Sequence, residues 1–168
     1  MRAITHFGKL CGVLLLGALA LPALGQDLTV RFTGRFQPGT CNFSVPNVDL
    51  GSYQANTFTG NTVTPWRQVT VTSSNCSSDI THIHMRFSGV ADGNNSAYFA
   101  VRNTTASGVA IELVNGASQR VTPNVTTFTW SRSGIGPSYN LFARFVQTRP
   151  TLTSGSVTTP ITISFTYN

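Results

Sequence analysis

Lysine and glutamate are almost missing from this chain of 168 residues, in which Lys9 is the one lysine and Glu112 the one glutamate. Both residue types favour helices, and after residue 25 leucine is sparse and apolar residues do not recur at three- and four-residue spacing. These absences argue against a helical fold. Charged residues make up only 10% of the chain, and the arginines occur singly in Thr- and Ser-rich sequence. We therefore expect no nucleic-acid partner.

Residue sets for catalysis are missing as well. Glu112, four widely spaced aspartates, two histidines after residue 25 and no G-x-S-x-G motif supply no nucleophile with a base and an orienting group. His82 and His84 are spaced to lie on one face of a strand, which can bind a metal, but no Cys, Asp or Glu pattern completes a coordination shell. The sequence therefore predicts no catalytic residues, no cofactor and no metal site.

Residues 1–25 have the pattern of a secretory signal peptide. Two basic residues precede a short apolar run over 10–21, and Ala23 and Gly25 are the small residues at positions −3 and −1 of a cut after Gly25. The run is too short for a membrane anchor, which is the alternative interpretation. We therefore predict an exported protein whose mature chain begins near Gln26.

Three cysteines occur, and Cys11 is removed with the signal peptide because it lies at the front of the apolar run. Cys41 and Cys76 remain. In an oxidising compartment a disulfide between them is the default, and the companions of a metal-binding or reactive pair are missing.

The rest of the chain consists of short runs that alternate apolar and polar residues, separated by Gly, Asn, Pro and Ser. Such a pattern predicts an all-β protein, an antiparallel sandwich rather than a barrel. The predicted strands are 28–32, 66–71, 82–87, 98–101, 109–113, 127–130, 141–146 and 161–167. Trp66 and Trp130 are predicted to lie in the sandwich core.

Two features do not fit a domain that completes its own fold. Near the N-terminus the apolar residues Leu28, Val30, Phe32 and Phe36 share one face, with Gly34 between them. At the other end Ile161, Ile163, Phe165 and Tyr167 alternate up to the last residue but one, without the Lys or Pro that usually protects an edge. One spare apolar strand and one uncovered edge fit a head-to-tail contact that generates fibres. The alternative is that 28–36 is simply the first strand of an ordinary sandwich.

Motifs along the whole mature chain resemble those of the chaperone–usher pilins, the subunits of type 1-like fimbriae. Residues 26–41 resemble the family's donor segment, with a glycine in the alternation before the first cysteine. Further resemblances follow in the family's order: Val48-Asp49-Leu50-Gly51, Val69-Thr70-Val71 before Cys76, Phe87-Ser88-Gly89-Val90-Ala91-Asp92, Gly108-Val109-Ala110-Ile111-Glu112-Leu113, Tyr139 with Phe142-Ala143-Arg144-Phe145, Gly155 and the penultimate Tyr167. Phe145 stands where the family often has tyrosine.

The resemblance implies an incomplete immunoglobulin-like sandwich that lacks its last strand and is completed by a donor strand from another subunit. It divides the chain into a signal peptide (1–25), a donor-strand extension (26–40) and a pilin domain (41–168). Leu28, Val30, Phe32 and Phe36 would be donor anchors, with Gly34 at a narrow point of the neighbour's groove. Ile161, Ile163, Phe165 and Tyr167 would line the chain's own groove, and Asn168 would present its carboxylate to a periplasmic chaperone.

The partners implied are neighbouring fimbrial subunits, that chaperone and an outer-membrane usher, and the location is a fimbria on the cell surface. A second hypothesis is a glycan-binding tip adhesin that uses the aromatic residues Trp66, Trp130 and Tyr98. Typical tip adhesins, however, carry a separate receptor domain and lack a donor extension. We therefore predict a structural subunit.

Overall fold

The computed structural model describes residues 31, 33, 35, 39–102 and 105–167. The chain divides into two compact units between Phe36 and Gln37, and the unit described below is Gln37–Asn168. Its elements in chain order are β1 (Asn42–Ser44), a 3-10 turn (Ala55–Thr57), β2 (Arg67–Ser74), β3 (His82–Ser88), β4 (Phe99–Ala100), β5 (Val109–Asn115), β6 (Thr127–Ser131), α1 (Arg132–Ile135), β7 (Ser138–Gln147) and β8 (Thr162–Tyr167).

The strands form two antiparallel sheets. One sheet has the order β1–β2–β7–β5–β4, and the other has the order β6–β3–β8. The all-β prediction is therefore confirmed, and seven of the strands overlap predicted ones. The short helix α1 falls between the predicted strands 127–130 and 141–146, where no element was predicted. β1 was not predicted because three residues are too few to reveal an alternation.

Alternation determines which side of each strand faces the core. On β3 the side chains of Ile83, Met85 and Phe87 have no exposed surface, whereas the residues that alternate with them are exposed or half-buried. Residues of both sheets belong to one core cluster, in which the ring of Trp130 on β6 lies 5.9 Å from that of Tyr139 on β7. The two sheets therefore pack face to face as a sandwich.

The two tryptophans occupy different environments. Trp130 is fully buried, as predicted, and its indole Nε1 donates a hydrogen bond to the carbonyl of Gly136 at 3.1 Å. Trp66 is 39% exposed, so the prediction that it belongs to the core was wrong. It directly precedes β2, and the guanidinium of Arg144 stacks on its ring at 4.1 Å, which gives the indole a partner outside the core.

A disulfide joins Cys41 to Cys76, as predicted. Cys41 directly precedes β1 and Cys76 follows β2, the strand with which β1 pairs over Asn42↔Ser74 to Ser44↔Thr72. The covalent link therefore holds the short strand β1 at the edge of the larger sheet.

Candidate functional site

β8 is an edge strand. It pairs with β3 from Ile83↔Tyr167 to Ser88↔Thr162, and within residues 39–102 and 105–167 no strand pairs with its other side. Neither Lys nor Pro occurs among its residues. The N–H and C=O groups along that side are therefore open to pairing with another strand.

The apolar row of β8 is only partly covered. Phe165 lies opposite Met85, and Ile163 opposite Phe87, in the register of the two strands. Met85 and Phe87 have no exposed surface, yet Ile163 and Phe165 are half-buried and Tyr167 is 37% exposed. The two strands are neighbours in one sheet, so this difference in side-chain exposure means that the core-facing side of β8 is less completely covered than that of β3.

The segment around β1 forms the opposite wall of this uncovered row. Phe43 stacks on Phe165 with ring centroids 4.0 Å apart and an angle of 1° between the planes. Farther along the same segment, Val48 and Leu50 are half-buried against the core. The apolar row and this wall together bound a groove, which we call the β8 groove.

A cavity of about 690 Å³ continues the groove beyond the N-terminal end of β8. Residues 47–53 line one side and residues 152–159 the other, with Val109, Ile111 and Phe145 among the apolar residues between them. Val109 and Ile111 of this lining are buried, whereas Ser154 and Thr158 are exposed.

Gly155 lies on the cavity wall and tolerates no side chain there. A Cβ at this position would collide with the backbone of Ala106 and Thr105. The glycine therefore allows the segment that leads into β8 to pass close to the neighbouring backbone.

Of the residues predicted to form the acceptor surface, Ile161, Ile163 and Phe165 pack against the core cluster, and Tyr167 follows on the same side of β8. The predicted donor residues Leu28, Val30, Phe32, Gly34 and Phe36 lie outside the described residues, as does Asn168. Sequence reasoning missed the opposite wall with Phe43, Val48 and Leu50. Their positions carry no alternation, and only the resemblance of 48–51 to a family motif marked part of it.

A network of charged and aromatic residues on the outer face of the larger sheet was also missed. Glu112 is only 3% exposed. Arg120 donates from Nε and Nη2 to its Oε1 (3.1 and 2.9 Å), and Arg144 donates from Nε to its Oε2 (2.8 Å). The two guanidinium groups stack on aromatic rings, Arg120 over Tyr98 at 5.0 Å and Arg144 over Trp66 at 4.1 Å. The one glutamate of the chain is thus fully engaged in a structural contact.

His82 and His84 lie on one side of β3, as their spacing predicted. Nδ1 of His82 is 3.0 Å from Thr81 Oγ1, and Nδ1 of His84 is 3.0 Å from Thr129 Oγ1. In the described part of the chain no group of three or more His, Cys, Asp or Glu residues is placed to hold a metal ion. No helix found there is long and apolar enough to cross a membrane.

Comparison with known proteins gives consistent matches over most of the chain. A family model described as fimbrial protein matches residues 30–168. The S-fimbrial adhesin protein SfaS of Escherichia coli O6:K15:H31 (strain 536 / UPEC) is 31% identical over 159 residues, which cover 91% of this chain and 93% of that protein.

Two solved structures share the fold. The P pilus rod subunit PapA superposes with a TM-score of 0.65 at 15% identity, covering 83% of this chain and 100% of that one. A chain from a chaperone–usher pilus superposes with a TM-score of 0.63 at 14% identity, covering 87% and 98%. The incomplete immunoglobulin-like sandwich predicted from the sequence is confirmed.

Proposed function

Because the chain belongs to the fimbrial protein family, a family of structural subunits, we propose that neighbouring subunits of its fimbria are joined by exchange of strands. In this proposal the β8 groove receives the N-terminal segment of one neighbour, and residues 26–40 enter the groove of another. The observation that carries it is the half-covered apolar row of β8 beside an unpaired strand edge. No catalytic role is assigned.

The physical chemistry of the donor segment matches that of the groove. An inserted strand would pair with the free edge of β8 and place alternate side chains over its apolar row. Burying an apolar side chain contributes about 1.5–3 kcal/mol, so Leu28, Val30, Phe32 and Phe36 together contribute on the order of 10 kcal/mol before the cost of ordering. That gain is comparable to the stability of a whole domain.

Assembly by this route needs protection of the groove before polymerisation. We propose that the chain is exported through the periplasm, where a chaperone supplies a temporary strand and binds the carboxylate of Asn168, and that an outer-membrane usher directs the exchange. An uncovered apolar edge would otherwise cause aggregation. The finished subunit would then lie in a fimbria on the cell surface.

Strand complementation tests the proposal directly. A chain that begins at Gln37 is expected to aggregate alone, and to become monomeric and heat-resistant when refolded with a peptide of residues 26–36. A peptide with Val30→Asp and Phe32→Asp is the matched control, since it keeps the length but loses two anchors, and it is expected to fail. If the chain without 26–36 is a stable monomer that ignores the peptide, or still forms fibres, the proposal is wrong.

A direct adhesive role is the second candidate. The relative SfaS is named as an adhesin, and Trp66 of this chain is 39% exposed beside the stacked Arg144. Aromatic rings that are partly exposed are common contacts for sugars. A glycan array probed with the peptide-complemented subunit tests this candidate, and binding that is lost in Trp66→Ala but kept in Val125→Ala, where an apolar residue is 73% exposed, would favour it.

A further inference from the structure

The outward side of the smaller sheet is polar, and its strands carry no acidic residue there. Residues from β6, β3 and β8 form cross-strand rows on it. Two rows have three residues each, with the residue of β3 in the middle, and a third is a pair from β6 and β3: Thr127–Arg86–Ser164, Thr129–His84–Thr166 and Ser131–His82. Of these residues all but His84 and Ser131 are exposed, and those two are half-buried. We call this surface the His-Arg face.

The His-Arg face carries donors of hydrogen bonds and positive charge. Arg86 uses Nη2 to donate to the carbonyl of Asn124 at 2.9 Å, which occupies one of five guanidinium N–H donors. Along β6, β3 and β8, all of which the structure describes, the outward positions hold no Asp, Glu, Phe, Tyr, Trp or aliphatic residue. An anion that lies on this face would therefore meet no opposing carboxylate from these strands.

The donor segment has the same chemistry on the side that does not carry the anchors. If residues 28–35 form an extended strand with Leu28, Val30 and Phe32 on one side, then Thr29, Arg31, Thr33 and Arg35 fall on the other. Of these, Arg31, Thr33 and Arg35 are described and all three are exposed. The one acid nearby, Asp27, precedes the first anchor.

We propose that each junction between subunits forms a composite surface that binds a linear anionic polysaccharide. The proposal rests on the proposed strand exchange. A donor strand paired with the free edge of β8 would place its Arg31 and Arg35 beside the row Thr162, Ser164 and Thr166, and so widen the His-Arg face by one strand. Polymerisation would repeat this surface at every junction, and a long polyanion would contact many junctions at once.

The composition of the surface favours this partner over other polyanions. Single-stranded nucleic acids stack their bases best on Phe, Tyr and Trp, and membranes need apolar side chains that insert. The outward positions of β3, β6 and β8 hold neither, and their aromatic rings are the imidazoles of His82 and His84. Hydroxyl groups flank the basic residues on both sides and match the hydroxyl groups of a sugar chain. Arg31 and Arg35 are spaced by roughly 13 Å along an extended strand, which suits charges that recur along a linear polymer.

The test compares fibres of the full mature chain with and without Arg31→Ser/Arg35→Ser. The probes are dextran sulfate and uncharged dextran of the same length, which differ only in charge. Wild-type fibres are expected to bind dextran sulfate and not dextran. Each junction of the double variant is expected to bind roughly 3- to 25-fold more weakly, since one exposed ion pair changes an equilibrium by up to about fivefold, and a polyanion that contacts several junctions loses more. Arg67→Ser, an exposed arginine on the other sheet, is the matched control and should bind like wild type.

Electron microscopy of the fibres before binding separates the two proposals. Missing wild-type fibres would contradict the strand exchange itself, whereas intact fibres of both forms with equal binding would overturn the composite surface alone. Equal binding by Arg67→Ser and the double variant would overturn the composite surface, because the loss of any exposed arginine would then have the same effect. Equal affinity for duplex DNA and dextran sulfate would overturn the assignment to a polysaccharide. If the double variant forms no fibres, Arg86→Ser decides: unchanged binding overturns the proposal, and two- to fivefold weaker binding supports it.

Discussion

Replacing Phe165 by alanine tests how far the β8 groove depends on an incoming strand. In the chain alone Phe165 is half-buried, and its ring is stacked on Phe43 at 4.0 Å. Phe87, on the adjacent strand β3, has no exposed surface and serves as the matched residue. If a donor strand covers the remaining half of Phe165, truncation of this side chain should cost more in the complemented subunit than in the free one.

The expected magnitude follows from burial. Truncating a fully buried phenylalanine costs about 3–5 kcal/mol, and a half-buried one loses roughly half of that. Phe165→Ala should therefore lose an additional 1.5–2.5 kcal/mol, roughly, once the donor is bound, which corresponds to a 10- to 60-fold weaker Kd for the peptide of residues 26–36. Phe87→Ala should destabilise both states equally and change that Kd by no more than about threefold.

The assay refolds each variant of the chain that begins at Gln37 from urea at increasing concentrations of the labelled peptide, and then follows urea denaturation of the complexes. A change in Kd that is the same for Phe165→Ala and Phe87→Ala would refute the reasoning, because it would mean that the peptide does not cover the β8 groove. An unchanged Kd for both variants would place the peptide elsewhere on the subunit.

Three further predictions concern the framework around the groove. Glu112→Gln should lower the free energy of unfolding by about 1–3 kcal/mol, because the partly exposed arginines lose a buried carboxylate, and a urea midpoint equal to that of wild type would contradict the network. Replacing Cys41 and Cys76 together by serine should lower the free energy of unfolding of the complemented subunit by about 3–4 kcal/mol relative to its oxidised parent, because the unfolded chain loses its covalent loop. The chemically reduced wild type is the control and should be as stable as the double variant. An unchanged free energy of unfolding would contradict the prediction. Gly155→Val should weaken peptide binding through the displaced cavity wall, and a Kd equal to that of wild type would show that the peptide does not reach the cavity.

How well the sequence predicted each element depends on how its faces are buried. β3 is buried on one face and solvated on the other, so its period of two was visible and its bounds were predicted to within one residue. β5 is buried on both faces, with Glu112 among its apolar residues. Its type was predicted from the apolar run, but the cover that hides Glu112 comes from Arg120 and Arg144, and nothing local to β5 reveals those partners.

The apolar row of the β8 groove could be predicted from the sequence, whereas its opposite wall and the cavity could not. The apolar row of β8 is contiguous in sequence, and alternation marks it directly. The opposite wall and the cavity combine residues 47–53 with residues 152–159, about a hundred positions apart, and neither segment is a regular strand. Trp66 illustrates a related difficulty. The sequence around an aromatic residue that flanks a strand does not show whether its ring packs into the core or stacks on a guanidinium outside it.

The disulfide described above has a mechanical consequence for a subunit under tension. In the proposed fibre a pulling force enters each subunit through its donor segment and reaches Cys41 first. The disulfide then transmits the force directly to Cys76, 35 positions along the chain, so the residues between the two cysteines bear none of it. The residues between the two cysteines have an extended length of roughly 120 Å, and this length cannot be drawn out while the disulfide is intact. The oxidised subunit would therefore lengthen less under force than its reduced counterpart, and would refold from a shorter extension.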